Sequence, residues 1–231
     1  MASAAPTRRT LAIRRYPVKS MGGEALAAVR LNSRGLEGDR YFAVVDAQGR
    51  LASGKNTRRM VRRDGVFSYA ARTEADAVMV TGEQGIWRAG DAALDAELSY
   101  ALGAEVMVLP ETTTPYFDDG AVSLIGTATL EWCARELGAD ADQRRLRANL
   151  LVETAEPFEE ETWTGPLAIG TAVLRPVARI ERCRTIDLPQ DGVATGTRWL
   201  KPLGDARAAK VGIYCDVEVR GLVTVGDVVN F

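Results

Sequence analysis

The chain has 231 residues, 46% of them apolar and 26% charged, with a formal net charge of −2, three cysteines and no histidine. That is enough apolar material for a sizeable core in one β-rich unit of two packed halves, and the charge balance gives no general pull toward nucleic acid or an anionic membrane. Histidine-dependent triads and histidine-ligated zinc or haem are excluded within one chain, and the scattered Cys133, Cys183 and Cys215 build neither a disulfide framework nor a self-contained iron–sulfur cluster, which fits a reducing cytoplasm.

Residues 1–10 are small and basic, with no apolar stretch behind them, and read as a loose tail rather than a signal peptide. No apolar run reaches the roughly 18 residues that span a bilayer. Residues 11–16, 41–46, 66–72 and 77–81 are rich in Val, Ile, Phe and Tyr between Gly or Asp turns, which predicts strands. Asp46-Ala-Gln-Gly49 and Thr81-Gly-Glu-Gln-Gly85 predict hairpin turns. Residues 92–102 predict a short helix stopping at Gly103, and 105–109 another strand. The loop carrying Pro110, Pro115 and Asp118-Asp-Gly120 is the best domain boundary. Beyond it, Leu130, Cys133, Ala134 and Leu137 fall at i, i+3, i+4 and i+7. That spacing predicts a helix over 127–137, closed by Gly138, with Cys133 in its core face. Strands are expected at 150–153, 167–169, 171–180, 212–219 and 222–229. Many short strands with two or three helices indicate an α+β protein built on barrel-like sheet.

Cys183 has three arginines within four residues, Arg179, Arg182 and Arg184. A nearby guanidinium favours the thiolate, which is both nucleophile and metal ligand. The plainer reading is a small buried residue after a strand, with the arginines solvated. Cys215, inside an apolar strand, reads as structural. Residues 143–152 are a basic cluster running into a strand, and Arg147 and Asn149, two apart in extended chain, share one face. A guanidinium beside an amide suits a phosphate or a carbonyl-bearing heterocycle; the alternative is an ordinary solvated charge run. Tyr16-Pro-Val-Lys-Ser-Met-Gly-Gly23 leaves a strand for a turn where Lys19 and Ser20 could hold an anion with turn amides, although it is no Walker motif. Gly35-Leu-Glu-Gly-Asp-Arg-Tyr-Phe42 places Asp39 and Arg40 at a strand start, where such a pair is usually a turn or a structural ion pair. The basic stretch Lys55, Arg58, Arg59, Arg62 and Arg63 has no interleaved aromatics and stands in an acidic whole, so it does not read as a nucleic-acid site.

Taken in order, Tyr16-Pro-Val-Lys-Ser20, Gly35 to Phe42, Arg147-Ala-Asn149, Pro157-Phe158 with Trp163, Arg182-Cys183 and Gly226-Asp227 resemble the MOSC family (molybdenum cofactor sulfurase C-terminal type) from about residue 10 to 231. The resemblance implies an α+β, barrel-rich fold, with an N-terminal β-barrel-like region over 1–110 and the MOSC domain over 111–231. Among such proteins the chain is most similar to the amidoxime-reducing type. That likeness implies a molybdenum–pterin cofactor with Cys183 as metal ligand. Lys19, Ser20, Arg40, Arg147, Asn149 and Arg182 would bind the pterin and its phosphate, and Thr127 at a helix N-terminus would add an anion contact. It further implies reduction of N-hydroxylated or N-oxide small molecules, electrons from a separate flavin reductase or ferredoxin, and neither nucleic acid nor membrane as partner. Two departures bear on the substrate. The run Cys183-Arg-Thr-Ile-Asp-Leu-Pro-Gln-Asp-Gly192 is shorter and altered, and Ser123 stands where the family often has histidine. The altered loop keeps open a second reading, in which Cys183 carries sulfur as a persulfide or acts as nucleophile without molybdenum. A third is a non-catalytic module that stores or hands over the cofactor.

Overall fold

The computed structural model describes residues 8–138, 142–193 and 196–231. Its centre is a closed barrel of seven strands. The order is Leu150–Val152, Val122–Gly126, Lys210–Val219, Ala172–Glu181, Leu167–Ile169, Val228–Asn230 and Arg8–Arg15, which pairs back onto Leu150–Val152. Closure removes the free edges of the sheet. The fold is therefore α+β and barrel-based, as the strand pattern predicts.

The strand that closes the barrel comes from the far end of the chain. Residue 7 and those before it lie outside the described residues, but the tail expected at 1–10 is strand from Arg8 onward. Thr10 and Ile13 are both buried although three apart, which breaks simple alternation. The cause is a register shift between Thr10 and Ala12 against Leu150–Val152: an extra residue turns the strand so that both side chains reach the core. Val122–Gly126 and Leu150–Val152 run parallel, and parallel neighbours need a crossover. Helix Thr127–Leu137 and the short helix Gln143–Leu146 lie within it. Inside the barrel Ile13, Leu124, Leu150, Leu167, Leu174, Ile213 and Cys215 form one apolar cluster.

Residues 42–110 form two small sheets and the helix Ala92–Leu102. Val18, Met21, Val44, Phe67, Val80, Leu94, Leu98 and Val108 make their common core. A further small sheet joins Gly221–Thr224 to Ala28–Asn32 and Gly35–Leu36. No helix among the described residues is long and apolar enough to cross a membrane.

Three sequence expectations need correction. The strand predicted over 66–72 begins only at Ala70: Asp64–Ser68 is a 3-10 turn, with Ser68 Oγ donating to Gly65 O at 2.7 Å. Val66 and Phe67 are apolar because that turn is buried, not because the chain is pleated there. The strand expected over 222–229 is broken by a turn in which Thr224 N donates to Asp227 Oδ2 at 2.7 Å and Gly226 takes φ 97°. Arg147 and Asn149 do not share an extended face. Arg147 closes the helix Gln143–Leu146 in the left-handed region (φ 52°), and Asn149 precedes the strand Leu150–Val152.

Candidate functional site

One cleft lies between the barrel and the first half of the chain. Its walls include Lys19, Ser20 and Arg40 from the N-terminal turns, Phe117, Asp118 and Gly120 from the connecting loop, Ser123 and Tyr214 from paired barrel strands, and Arg147, Asn149, Arg182 and Cys183. The enclosed space among them is about 100 Å³, and it opens to solvent. Gly120 lets the loop lie flat on this wall: a Cβ there would stand 2.4 Å from the Tyr214 ring.

Ser20, Arg40 and Arg147 all adopt left-handed backbone, with φ of 70°, 47° and 52°. A side chain in that region costs about 1 kcal/mol that glycine avoids. The surrounding hydrogen bonds hold each one there. Arg40 N donates to Tyr16 O at 2.7 Å, and Ser20 Oγ to Ala52 O at 3.0 Å.

The positive groups differ in how they are compensated. Lys19, 6% exposed, donates from Nζ to Asp118 Oδ1 at 2.5 Å, and Lys55 donates to Asp118 Oδ2 at 3.2 Å. Burial still pushes the Lys19 pKa down. Arg40 pairs with Asp39 and reaches Asn149 Oδ1 and Arg147 O. Burial and then Asp39 act on it in opposite directions, and the carboxylate wins, raising its pKa. Among the described residues no carboxylate bonds Arg147 or Arg182. Arg147 donates to Met21 O at 2.7 Å and Gln190 Oε1 at 3.3 Å, and burial pushes its pKa down to about 10. Arg182 donates to Val211 O at 2.7 and 2.9 Å and to Leu146 O at 2.7 Å, and burial lowers it too. Two half-buried guanidiniums whose hydrogen bonds all go to neutral oxygens leave the cleft with positive charge in surplus.

Asn149 organises the floor. Its Oδ1 accepts from Ser123 N at 3.0 Å, Ser123 Oγ at 2.8 Å and Arg40, while Nδ2 donates to Arg14 O at 3.1 Å. The amide is thus spent on fixing Ser123 and Arg40.

Cys183 is partly exposed at the cleft wall, and its thiol donates to Thr185 Oγ1 at 3.2 Å. The arginines beside it in sequence act on the sulfur by charge, Arg182 and Arg184 among them, while their hydrogen bonds go elsewhere. Arg179 turns to Glu161, Arg184 to Asp64 at 2.6 Å, and Arg182 to the carbonyls named above. Cys133 and Cys215 are fully buried, and burial pushes both thiols up to about 12.

The structure brings Lys19, Ser20, Arg40, Arg147, Asn149, Arg182 and Cys183 together and leaves Thr127 out. Thr127 Oγ1 accepts from Thr154 N at 3.1 Å and donates to Thr154 O, away from the cleft. The helix N-terminus it was expected to offer is filled from within. Glu160 accepts from Thr129 Oγ1 at 2.8 Å and from the Gly126 amide, and Ala128 N donates to Thr154 Oγ1. Sequence reasoning missed Asp118 and Tyr214 as cleft residues, and Lys55 as a partner of Asp118. Asp118 was taken for linker, and only its partners 99 and 63 residues earlier give it a role.

The sequence model of the MOSC domain matches residues 111–230, and that of the MOSC N-terminal beta barrel domain matches residues 8–98. The chain belongs to the MOSC domain family. A stretch of this MOSC protein is 32% identical over 83 residues to the molybdenum cofactor sulfurase of Danio rerio, covering 34% of this chain but only 10% of that protein. The YUAD protein from Bacillus subtilis shares its fold, with a TM-score of 0.53 at 13% identity over 97% of this chain and 94% of that one.

Proposed function

We propose that the cleft holds the molybdenum–pterin cofactor, with Cys183 as metal ligand, and that the protein is an oxidoreductase acting on N-hydroxylated or N-oxide compounds. The donor set fits that group. Molybdenum takes soft sulfur, and Cys183 is the thiol at the cleft. A phosphorylated pterin needs cations and amide donors shielded from water. Lys19, Arg40, Arg147 and Arg182 bring that charge, with Ser20 beside them and Asn149 holding Arg40 in place. When bound, the cofactor supplies the electron store and the oxygen acceptor for reducing the small-molecule substrate. The chain's own part is to bind the anionic end, orient the thiol through Thr185, and limit water. Electrons then come from a separate partner, a flavin reductase or a ferredoxin.

One observation carries this reading: two half-buried guanidiniums, neither bonded to a carboxylate of the described residues, share a cleft with a single accessible thiol. The test is to purify the protein from a cofactor-competent host, measure molybdenum by elemental analysis, and look for fluorescent oxidised pterin. Stoichiometric metal that disappears in Cys183→Ser, with turnover of an N-hydroxylated substrate given an electron donor, is the expected outcome. Metal without turnover points to a module that stores or hands over the cofactor. The likeness to a protein named molybdenum cofactor sulfurase favours one other reading, in which Cys183 carries a sulfane sulfur. Metal-free protein with a Cys183 persulfide by mass spectrometry would replace the first reading with that one.

A further inference from the structure

Tyr16 is fully buried, and three guanidiniums converge on its ring. The central carbon of Arg147 lies 4.3 Å from the ring centroid, that of Arg40 4.8 Å and that of Arg14 5.8 Å. Arg147 and Arg40 are cleft residues. Like charges this close in a poorly hydrated place repel one another, and each needs a counterweight. Arg14 has Asp191 at 2.5 Å, and Arg40 has Asp39. Arg147 has no bonded carboxylate among the described residues: Asp191 and Asp39 act on it only through space, and its contacts are neutral oxygens, the Tyr16 ring and, 5.9 Å away, the Phe67 ring. An aromatic face is negative, and desolvation strengthens its pull on a cation. The Tyr16 hydroxyl has no hydrogen-bond partner among the described residues, so the ring rather than the oxygen makes the polar contacts.

We propose that Tyr16 is a positioning residue for the anion site: its ring holds both the Arg147 and the Arg40 guanidiniums, so that two mutually repelling cations serve one anionic group in the cleft. This rests on reading the cleft as an anion site. It assigns the aromatic residue just before the Pro17-Val-Lys-Ser20 turn a role in ligand affinity rather than in packing alone.

A change of shape at a fully buried ring could simply unfold the protein, so the test changes charge distribution at nearly constant shape. The full chain is prepared with Tyr16→Phe and then with phenylalanines of increasing ring fluorination at position 16, which drain the negative face stepwise. Two quantities are read: affinity for inorganic pyrophosphate by calorimetry, and the rate at which the Arg147 Nε–H exchanges with water by NMR. Tyr16→Phe should keep both. Trifluorination should weaken pyrophosphate binding about tenfold and speed the exchange by a similar factor, in graded steps. A rate of Arg147 exchange that ignores fluorine count overturns the proposal. If the unmodified protein fails to bind pyrophosphate at all, the reading of the cleft falls, and the exchange series still decides the role of Tyr16.

Discussion

Two places in this fold attract anions, and the chain treats them differently. The N-terminus of helix Thr127–Leu137 presents a positive dipole end, and the protein fills it with its own Glu160 and Thr154. The cleft presents Arg147 and Arg182, and no carboxylate of the described residues is bonded to either. The first place is structure, because its charge is closed internally. The second is the ground of the proposed site, because no carboxylate of the described residues is bonded there to close its charge. The cysteines follow the same division: Cys133 is sealed under that helix, and Cys183 stands at the cleft.

The division is tested most strongly by thiol chemistry. At neutral pH, thiols pushed up to about 12 hold roughly a thousandfold less thiolate than an ordinary cysteine. Native protein treated with iodoacetamide should therefore take one label, at Cys183, and three after unfolding, as read by mass spectrometry. Pyrophosphate should slow the native label. Labelling of Cys133 before Cys183 would mean that the helix is not the closed region described.

The next effect is on affinity. Arg147→Leu removes a half-buried cation that no carboxylate of the described residues bonds, so pyrophosphate affinity should drop by about 2 kcal/mol, roughly thirtyfold, while urea stability holds or rises. A large loss of stability with unchanged affinity would make Arg147 a structural residue. Glu160→Ala should do the reverse. The Gly126 amide and the Thr129 hydroxyl lose their acceptor, at a cost of about 1.5 kcal/mol in urea unfolding, and pyrophosphate affinity stays put. The sign with pH is also fixed. Burial raises the folded pKa of Glu160 above its ordinary 4.5, so the folded state holds the proton longer. Wild type should lose stability relative to Glu160→Ala as pH rises from 4.5 through the folded value.

What the sequence reveals and what it hides divide along range. Helix 127–137 is legible because its apolar spacing is local, and Gly138 ends it at φ 72° as expected. The Asp46 to Gly49 turn is legible for the same reason: Asp46 Oδ1 accepts from the amides of Gln48 and Arg50. Cys183 and the arginines stand out by residue type and by family likeness, and local spacing does bring Arg182 and Arg184 within electrostatic reach of the thiol, but it does not show that Arg179 and Arg184 have carboxylates of their own. The helix Leu200–Arg207 carries Pro202 and gives no clear helical pattern. Closure of the barrel by Arg8–Arg15 depends on pairings with residues 150 and 228, which no window of sequence contains. Asp118 belongs to the same class of hidden feature.

Asp118 gives the smallest and most conditional effect. It stands at the cleft between Lys19 and Lys55 on a loop, with 32% of its side chain exposed, and it occupies cations that an anionic ligand would also use. Burial opposes its charge, but the two ammonium groups prevail and hold its carboxyl well below the usual range. Asp118→Asn should free Lys19 and raise pyrophosphate affinity a few-fold, with the gain shrinking as salt is added, because the ion pairs are partly exposed and screened. The competition should persist from pH 3.8 upward until Lys19 loses its proton, and on the acid side fade as Asp118 is protonated below 3.8, so the mutant and wild type differ at pH 7 and converge in strong acid. Should the mutant bind pyrophosphate more weakly at low salt, Asp118 would be part of the ligand's own cradle, and the cleft would prove less purely cationic than its contrast with the sealed helix end implies.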